Sequence, residues 1–451
     1  MRTLLKNARY IVTCDDADRI LHGADILLAD GRIAAIGSVS PDETADEVID
    51  GKNLFVYPGL INTHHHLYQY FTRNLPQMQG LELFDWLRAL YGIWKRLDEK
   101  DVYFSSVAGM AELMKYGCTT CFDHHYVFPA GAGDLLASQF AAAEAIGIRM
   151  VSARGSMSLS EKDGGLPPDS VVQTQDAILK DSQRAIERFH DPAPFSMRQV
   201  VLAPCSPFSV TADLMRESAR LAREYGVRLH THLAETKDEE RFTLETVGMR
   251  PLAYMESVGF IGPDVFYAHG IHFNDDELRL LADTGTGVAH CPCSNMKLSS
   301  GVMRLPEMLR LGVRVGLAVD GSASNDASNL MEEIRTAYLL HRLTSGDAAP
   351  SGYELLKLAT RGSASLLGRD DIGQLREGLA ADLFAIRADR LELLCAEQDA
   401  ADLFGTVGVH RPADYVFVNG KKTVHNGELT FLSEDTMARY ARREAGLLKR
   451  L

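Results

Sequence analysis

Short runs of β-branched or otherwise apolar residues recur along the middle of the chain, and nearly every one is apolar where it begins and polar or ionisable where it ends. They are FVYPGLINTHHH (55–66), CTTCFDHH (118–125), IRMVSARGS (148–156), QVVLAPC (199–205), VRLHTHLAE (227–235), VFYAHGI (265–271), GVAHCPCSN (287–295) and RVGLAVDGS (314–322). Stretches of helical periodicity lie between several of them. DVYFSSVAGMAELMKYG and TADLMRESARLAREYG each close on a glycine suited to the turn after a helix. Eight strand–helix alternations predict an α/β fold, a parallel (β/α)8 TIM barrel over residues 57–368. In such barrels the C-terminal strand ends carry the chemistry, so the polar strand ends of this chain should meet at one mouth.

The flanks read differently. Residues 1–56 alternate in short strands around the turns ADGRIAAIG and IDGKN, and in the second flank, residues 369–451, residues 373–431 do the same through GQLREGLAADLFAIR and DYVFVNGKKTVHNGELT. Neither flank alone has enough strands for a stable core. A small β-sandwich formed by both chain ends solves that problem. A terminal helix is expected in SEDTMARYARREAGLLKRL.

Composition narrows the class of partner. Of 451 residues, 46% are hydrophobic and 24% charged, a globular balance. Net charge is −14, with no basic stripe of interleaved aromatics, which excludes a nucleic-acid polymer but not a free nucleobase. No run of about 18 apolar residues predicts a membrane span, and MRTLLKNARYIVTCDD has no signal-peptide core. Seven cysteines, an odd number mostly inside strand-like runs, suit a reduced, cytoplasmic protein. Cys118-x-x-Cys121 and Cys291-Pro-Cys293 fall inside or at the end of predicted strands, which argues against a zinc knuckle. The composition is compatible with a homo-oligomer and does not fix one.

The histidines carry the candidate chemistry. With 15 in the chain, roughly half of one His-x-His match is expected by chance; there are two, and both close predicted strands. A strand's period of two sends His64 and His66 to one face, where their imidazoles can converge on an ion, while His65 points to the helical layer. In HTHLAE, His232 lies near the rim with Glu235 just beyond it, and His230 sits deeper as a supporting or packed histidine. Asp320 ends the apolar VGLAV run, where a buried carboxylate needs a partner and a cation supplies one. His64, His66, His232 and Asp320 form an N3O set suited to zinc or ferrous iron. The fourth run ends Pro204-Cys205 with no lysine to bridge two metals, so one divalent ion per chain is expected.

PGLINTHHH, HTHLAE, AHGIHF and AVDGSASN, in this order, resemble the amidohydrolase superfamily, in its branch of guanine, cytosine and S-adenosylhomocysteine deaminases and s-triazine hydrolases. The likeness spans nearly the whole chain. NTHHHLYQ, GCTTCFDHHYVFP, RGSMSLSEKDGGLPP, APCSPFSV and DGSASNDASN further resemble those members that deaminate a free oxidised purine base. One departure is informative. Nucleoside-type deaminases of the branch carry a Pro-His-x-Pro motif, and here Pro204-Cys205-Ser206-Pro207 stands in its place, which favours a bare heterocycle over a nucleoside.

The resemblance implies a purine-catabolic hydrolase with Glu235, His269 and Asp320 as catalytic residues. Glu235 would carry a proton from water to the ring, His269 would hydrogen-bond the attacking oxygen, and Asp320 would ligate the metal and protonate the leaving amine. Glu235 could otherwise be a carboxylate at a helix start, and His272 is expected to be structural. Gln69, Arg73, Trp86, Tyr91, Tyr126 and Arg154 are candidates to bind or stack on a flat ring, with Cys205 beside it. Trp86 could equally be helix packing. One of His124 and His125 should face the pocket. An s-triazine chloro- or aminohydrolase is the rival enzyme, and a silent scaffold the remote one, although no predicted ligand is missing.

Overall fold

The computed structural model describes residues 2–40 and 42–450. Five strands precede the barrel: β1 (Arg2–Val12), β2 (Ile20–Ala29), β3 (Arg32–Gly37), β4 (Glu47–Asp50) and β5 (Leu54–Pro58). The barrel strands follow. They are β6 (Leu60–Asn62), continued by β7 (His65–His66), then β8 (Cys118–His125), β9 (Arg149–Ser156), β10 (Arg198–Pro204), β11 (Leu229–Leu233), β12 (Val265–His269), β13 (Gly287–His290) and β14 (Arg314–Leu317), continued by β15 (Asp320–Gly321). After it come β16 (Leu383–Arg387), β17 (Tyr415–Val418), β18 (Lys421–His425) and β19 (Glu428–Leu429).

Strands β6 and β8 to β14 pair in parallel and in sequence order as an eight-stranded sheet. It closes at its upper edge, where β7 pairs with β15 in parallel, Asp320 opposite His65. The Asp320 N–H also donates to the His64 carbonyl at 3.1 Å. Closure therefore falls on the segments that carry the metal candidates.

Two of the predicted runs divide. FVYPGLINTHHH does not form one barrel strand: Leu54–Pro58 belongs to the outer sheet, and the chain crosses into the barrel at Gly59. A Cβ there would lie 2.1 Å from Thr119 Oγ1, so only glycine allows this crossing so close to β8. GVAHCPCSN stops as a strand at His290, and Pro292 opens the short helix Pro292–Lys297, as suits proline in a first turn. The helices around the barrel have the expected caps: Glu99–Lys115 starts in a capping box of Asp98 and Asp101, and Ala212–Tyr225 starts on Thr211.

Both chain ends combine in one nine-stranded mixed sheet, with β16 antiparallel to β5. Its pairing is continuous, and residues of seven of its strands share a core that includes Leu5, Ile26, Ile33, Ile49, Val56, Leu383 and Phe417. A buried ion pair ties this sheet to the barrel floor. Arg149 at the start of β9 donates to Asp382 at 2.8 Å and to Asn419 at 2.8 Å. The terminal helix is Glu434–Glu444, packed on Glu99–Lys115. Among the described residues no helix is long and apolar enough to cross a membrane.

Candidate active site

The barrel mouth holds a cavity lined by His66, Gln69, Leu83, Trp86, Leu87, Tyr126, Cys205, Phe208, His232, Glu235, His269, Leu298, Asp320 and Ser324. Three residues at strand ends lie in the left-handed region that L side chains avoid: Ala234 (φ 53°), His269 (φ 73°) and Asp320 (φ 63°). Such strain persists only where surroundings hold it. At Ala234 the buried Glu239 carboxylate does so, accepting from the backbone N–H of Ala234 at 2.9 Å and of Glu235 at 3.0 Å.

Hydrogen bonds fix the tautomers of the clustered imidazoles. His66 Nδ1 donates to the His124 carbonyl at 2.7 Å and His232 Nδ1 to the Cys205 carbonyl at 2.7 Å. Each Nε2 is then a bare lone pair, and the two stand 3.1 Å apart. The same logic runs through His230, which donates from Nδ1 to the Phe266 carbonyl at 2.9 Å, so its Nε2 must accept from His64 Nδ1, also at 2.9 Å. His64 Nε2 is bare as well, and has no partner. Asp320 Oδ1 completes the set 3.3 Å from both His64 Nε2 and His66 Nε2, with no hydrogen bond of its own.

Buried lone pairs facing one another at these distances repel unless a cation lies among them. With zinc–nitrogen bonds of about 2.0–2.1 Å, tetrahedral neighbours stand about 3.3 Å apart, close to the separations seen here. The donor set therefore fits a divalent metal ion. Burial depresses the pKa of His64 far below its ordinary value and that of His232 to about 3, so both imidazoles are neutral and ready to ligate.

Asp320 is held from behind. Its Oδ2 accepts from the hydroxyls of Ser294 and Ser324, the latter at 2.9 Å. Burial alone would raise its pKa, but the closeness of the His64 and His66 imidazoles holds it well below the usual carboxylate range. Burial moves Glu235 the other way, raising its pKa, with the Asp320 charge acting in the same sense. Glu235 Oε1 accepts from Ser300 Oγ at 3.2 Å, and Oε2 lies 3.5 Å from His269 Nε2. His269 donates from Nδ1 to Asn295 Oδ1 at 2.8 Å, which turns Nε2 to the cavity. Burial would depress His269, but the Glu235 and Asp320 charges raise it above its ordinary value.

The cluster of ligand-capable groups also includes His124, beside His64, His66 and His232. Its Nε2 donates to the Ala203 carbonyl at 2.9 Å, while His125 turns outward and bonds the Val127 carbonyl. His65 faces the helical layer and bonds Ser328 at 3.0 Å, and His272 bonds the Ser300 carbonyl.

Among the residues expected to touch a ring, Gln69, Trp86, Tyr126 and Cys205 line the cavity. Three others do not. Arg73 pairs with Glu112 at 2.8 Å and lies over the Tyr70 ring. Arg154 points to the helical layer, paired with Asp181 at 2.6 Å and stacked on Phe128. Its place in β9 sends it to the outer face, which strand parity alone could have revealed. Tyr91 stands behind the lining, its hydroxyl against Met157 Sδ. Ser294, Asn295, Ser300 and Ser324 were not singled out from the sequence; a serine beside a carboxylate in space carries no spacing signal.

The amidohydrolase family model matches residues 55–426. The chain belongs to the amidohydrolase family. This amidohydrolase is 45% identical over 426 residues to the 8-oxoguanine deaminase of Pseudomonas aeruginosa, covering 92% of this chain and 94% of the relative. It is 43% identical over 454 residues to the hydroxydechloroatrazine ethylaminohydrolase of Pseudomonas sp. strain ADP, covering 97% and 94%. Its fold superposes on atrazine chlorohydrolase from Arthrobacter aurescens TC1 complexed with zinc, with a TM-score of 0.94, 32% identity and 99% and 100% of the two chains covered. The amidohydrolase is thus a hydrolase of a family that binds a divalent metal, and its buried His/Asp cluster suits one.

Proposed function

We propose that the amidohydrolase deaminates 8-oxoguanine hydrolytically, giving urate and ammonia. The observation that carries this reading is a pair of buried N–H donors without partners on residues lining the cavity, the Gln69 amide and the Trp86 indole. Gln69 Oε1 accepts from the Ala323 N–H at 3.3 Å, which leaves Nε2 as the free end. Two unpaired donors call for two acceptors on the ligand, and 8-oxoguanine carries carbonyl oxygens on both of its rings. The likeness to the Pseudomonas aeruginosa 8-oxoguanine deaminase supports the same assignment. Cys205, whose thiol burial pushes up to about 12, gives a neutral contact with nothing to bind a ribose.

His64, His66, His232 and Asp320 would hold one divalent ion, zinc or ferrous iron. Such an ion supplies an activated water at neutral pH. Glu235 takes a proton from the attacking water and delivers it to the ring nitrogen beside the carbon under attack. His269 Nε2, facing Glu235 across the mouth, donates a hydrogen bond to the incoming oxygen once it is protonated, as its raised pKa favours. Asp320 takes the remaining proton of the attacking water and passes it to the amine, the carbon–nitrogen bond breaks, and ammonia leaves.

A second reading, an s-triazine amino- or chlorohydrolase, is favoured by the 43% identity to the ethylaminohydrolase and by the zinc-bound chlorohydrolase neighbour. Metal analysis of purified protein with an ammonia- and chloride-release panel of purines, pyrimidines and triazines separates the two. Ammonia from 8-oxoguanine, with urate formed, supports the first. Comparable kcat/KM for guanine, or faster chloride release from a chlorotriazine, overturns it.

A further inference from the structure

Glu333, in the first turn of the helix Leu330–Ser345, is a carboxylate 1% exposed and outside the cavity. Among the described residues it has no cationic partner. Its Oε1 accepts from Asn325 Nδ2 at 2.6 Å and its Oε2 from the Cys293 backbone N–H at 3.1 Å. Burial on neutral donors alone pushes its pKa up to about 8, so the carboxyl group is kept there at a cost.

Each donor belongs to a segment that touches Asp320. Cys293 lies in the first turn of the helix Pro292–Lys297, which carries Ser294 to Asp320 Oδ2 and Asn295 to His269. Asn325 ends the turn Ser322–Asn325, which carries Ser324 to the same oxygen. The Asn325 amide also donates to the carbonyl of Val319, the residue before Asp320, at 2.7 Å. One carboxyl group thus links the two segments that place hydroxyls on Asp320 Oδ2. With Oδ2 occupied twice, only Oδ1 is presented to the bare nitrogens of His64 and His66. Asp320 has a φ of 63°, a conformation that needs such external support.

We propose that Glu333 is a positioning residue for the metal carboxylate, bracing the helix Pro292–Lys297 and the turn Ser322–Asn325 so that Asp320 offers Oδ1 alone to the ion. The proposal rests on the metal reading above and is independent of the substrate.

The test is zinc affinity by chelator competition on the full chain. The variants are Glu333→Met, Glu333→Gln, Asn325→Ala, the double variant Ser294→Ala/Ser324→Ala, and that double variant with Glu333→Met added. Loss of an outer partner of a ligand weakens metal binding about 10- to 100-fold, and Glu333→Met should fall in that range. Glu333→Gln keeps an acceptor for Asn325 but sets an amide N–H against the Cys293 N–H, so it should lie between wild type and methionine. The double serine variant should lose a similar amount, and adding Glu333→Met to it should cost no more than about twofold to threefold further, because both act through the same hydroxyls.

Zinc affinity of folded Glu333→Met within about threefold of wild type overturns the proposal. So does a full, undiminished loss in the serine background, which would mark a general loosening of the fold. Should the Glu333 variants fail to fold, Asn325→Ala decides, since it cuts the brace at the turn, and unchanged affinity there refutes it. Wild-type protein that binds zinc yet leaves 8-oxoguanine intact removes the substrate assignment and leaves this one standing. Wild-type protein that binds no zinc removes the metal reading, and this proposal with it.

Discussion

His230 lines no part of the cavity, yet its replacement by leucine should weaken metal binding. The imidazole fixes the His64 tautomer: it donates to the Phe266 carbonyl and so can only accept from His64 Nδ1. Leucine leaves the His64 N–H buried with no acceptor, at a cost of about 1–3 kcal/mol. His64 can avoid that cost by moving the proton to Nε2, which removes the lone pair the ion needs. Either route is charged to the metal-bound state. At about 1.4 kcal/mol per tenfold, the affinity loss is roughly 5- to 150-fold, in the range found when a histidine ligand loses its outer partner. Chelator competition on the purified variant, followed by metal analysis of the protein fraction, reads this directly. His230→Gln can present a carbonyl to His64 and should lose less than leucine. Affinity of His230→Leu within about twofold of wild type, with the fold intact, would refute the tautomer argument and with it the ordering of donors around the site.

Purified protein should hold about one divalent ion per chain, and Asp320→Ala should lose both the ion and turnover; two ions at full occupancy would sink the mononuclear assignment. Glu235→Gln should keep the ion and lose about 10²- to 10⁴-fold in kcat, since an amide cannot carry a proton, and retained activity within about tenfold would take Glu235 out of the mechanism. Gly321→Ala places a methyl 2.0 Å from Gln69 Oε1, so it should displace the Gln69 amide and raise KM while leaving metal content unchanged. Arg149→Met leaves Asp382 buried without its cation and should lower stability by about 3–5 kcal/mol in urea denaturation, with kcat retained.

The barrel was legible because two signals coincide in it, the count of apolar runs and the polar residue that ends each. The His-x-His spacing brought His64 and His66 forward on a strand's period of two, but only His230 and His232 lie within one strand, since His64 falls in the break between β6 and β7. What failed to show was whatever depends on segments far apart in sequence. Nothing in GVAHCPCSN says that its strand stops at His290 so that Ser294 can reach Asp320 from a helix. Arg154 misled because an arginine near a strand end invites a ligand, whereas Asp181, 27 residues on, already holds it. Gly59 divides one apolar run between two sheets because the two strands on either side of it belong to different layers, a fact of packing that periodicity does not encode.

The proposed metal ligands, with Glu235 and His269, sit at or just beyond barrel strand ends, while the cavity wall comes largely from elsewhere. Leu83, Trp86 and Leu87 belong to the helix Leu83–Trp94 between the first two barrel strands, and Phe208 follows β10. Identities of 45% to a purine deaminase and 43% to a triazine hydrolase do not discriminate between the two substrate classes. Selection of the ring must then lie in the wall, where one methylene more or less changes binding by only about 1–3 kcal/mol. Buried donors discriminate more sharply, since a ring lacking the matching oxygen leaves them unpaired, and such a mismatch can reach about 10⁴-fold. Gln69 Nε2 and Trp86 Nε1 are the donors in that position. A wall that differs from its triazine-hydrolysing relatives at those two groups could change substrate class with the metal cage intact, and one barrel mouth could in this way serve purines and triazines alike.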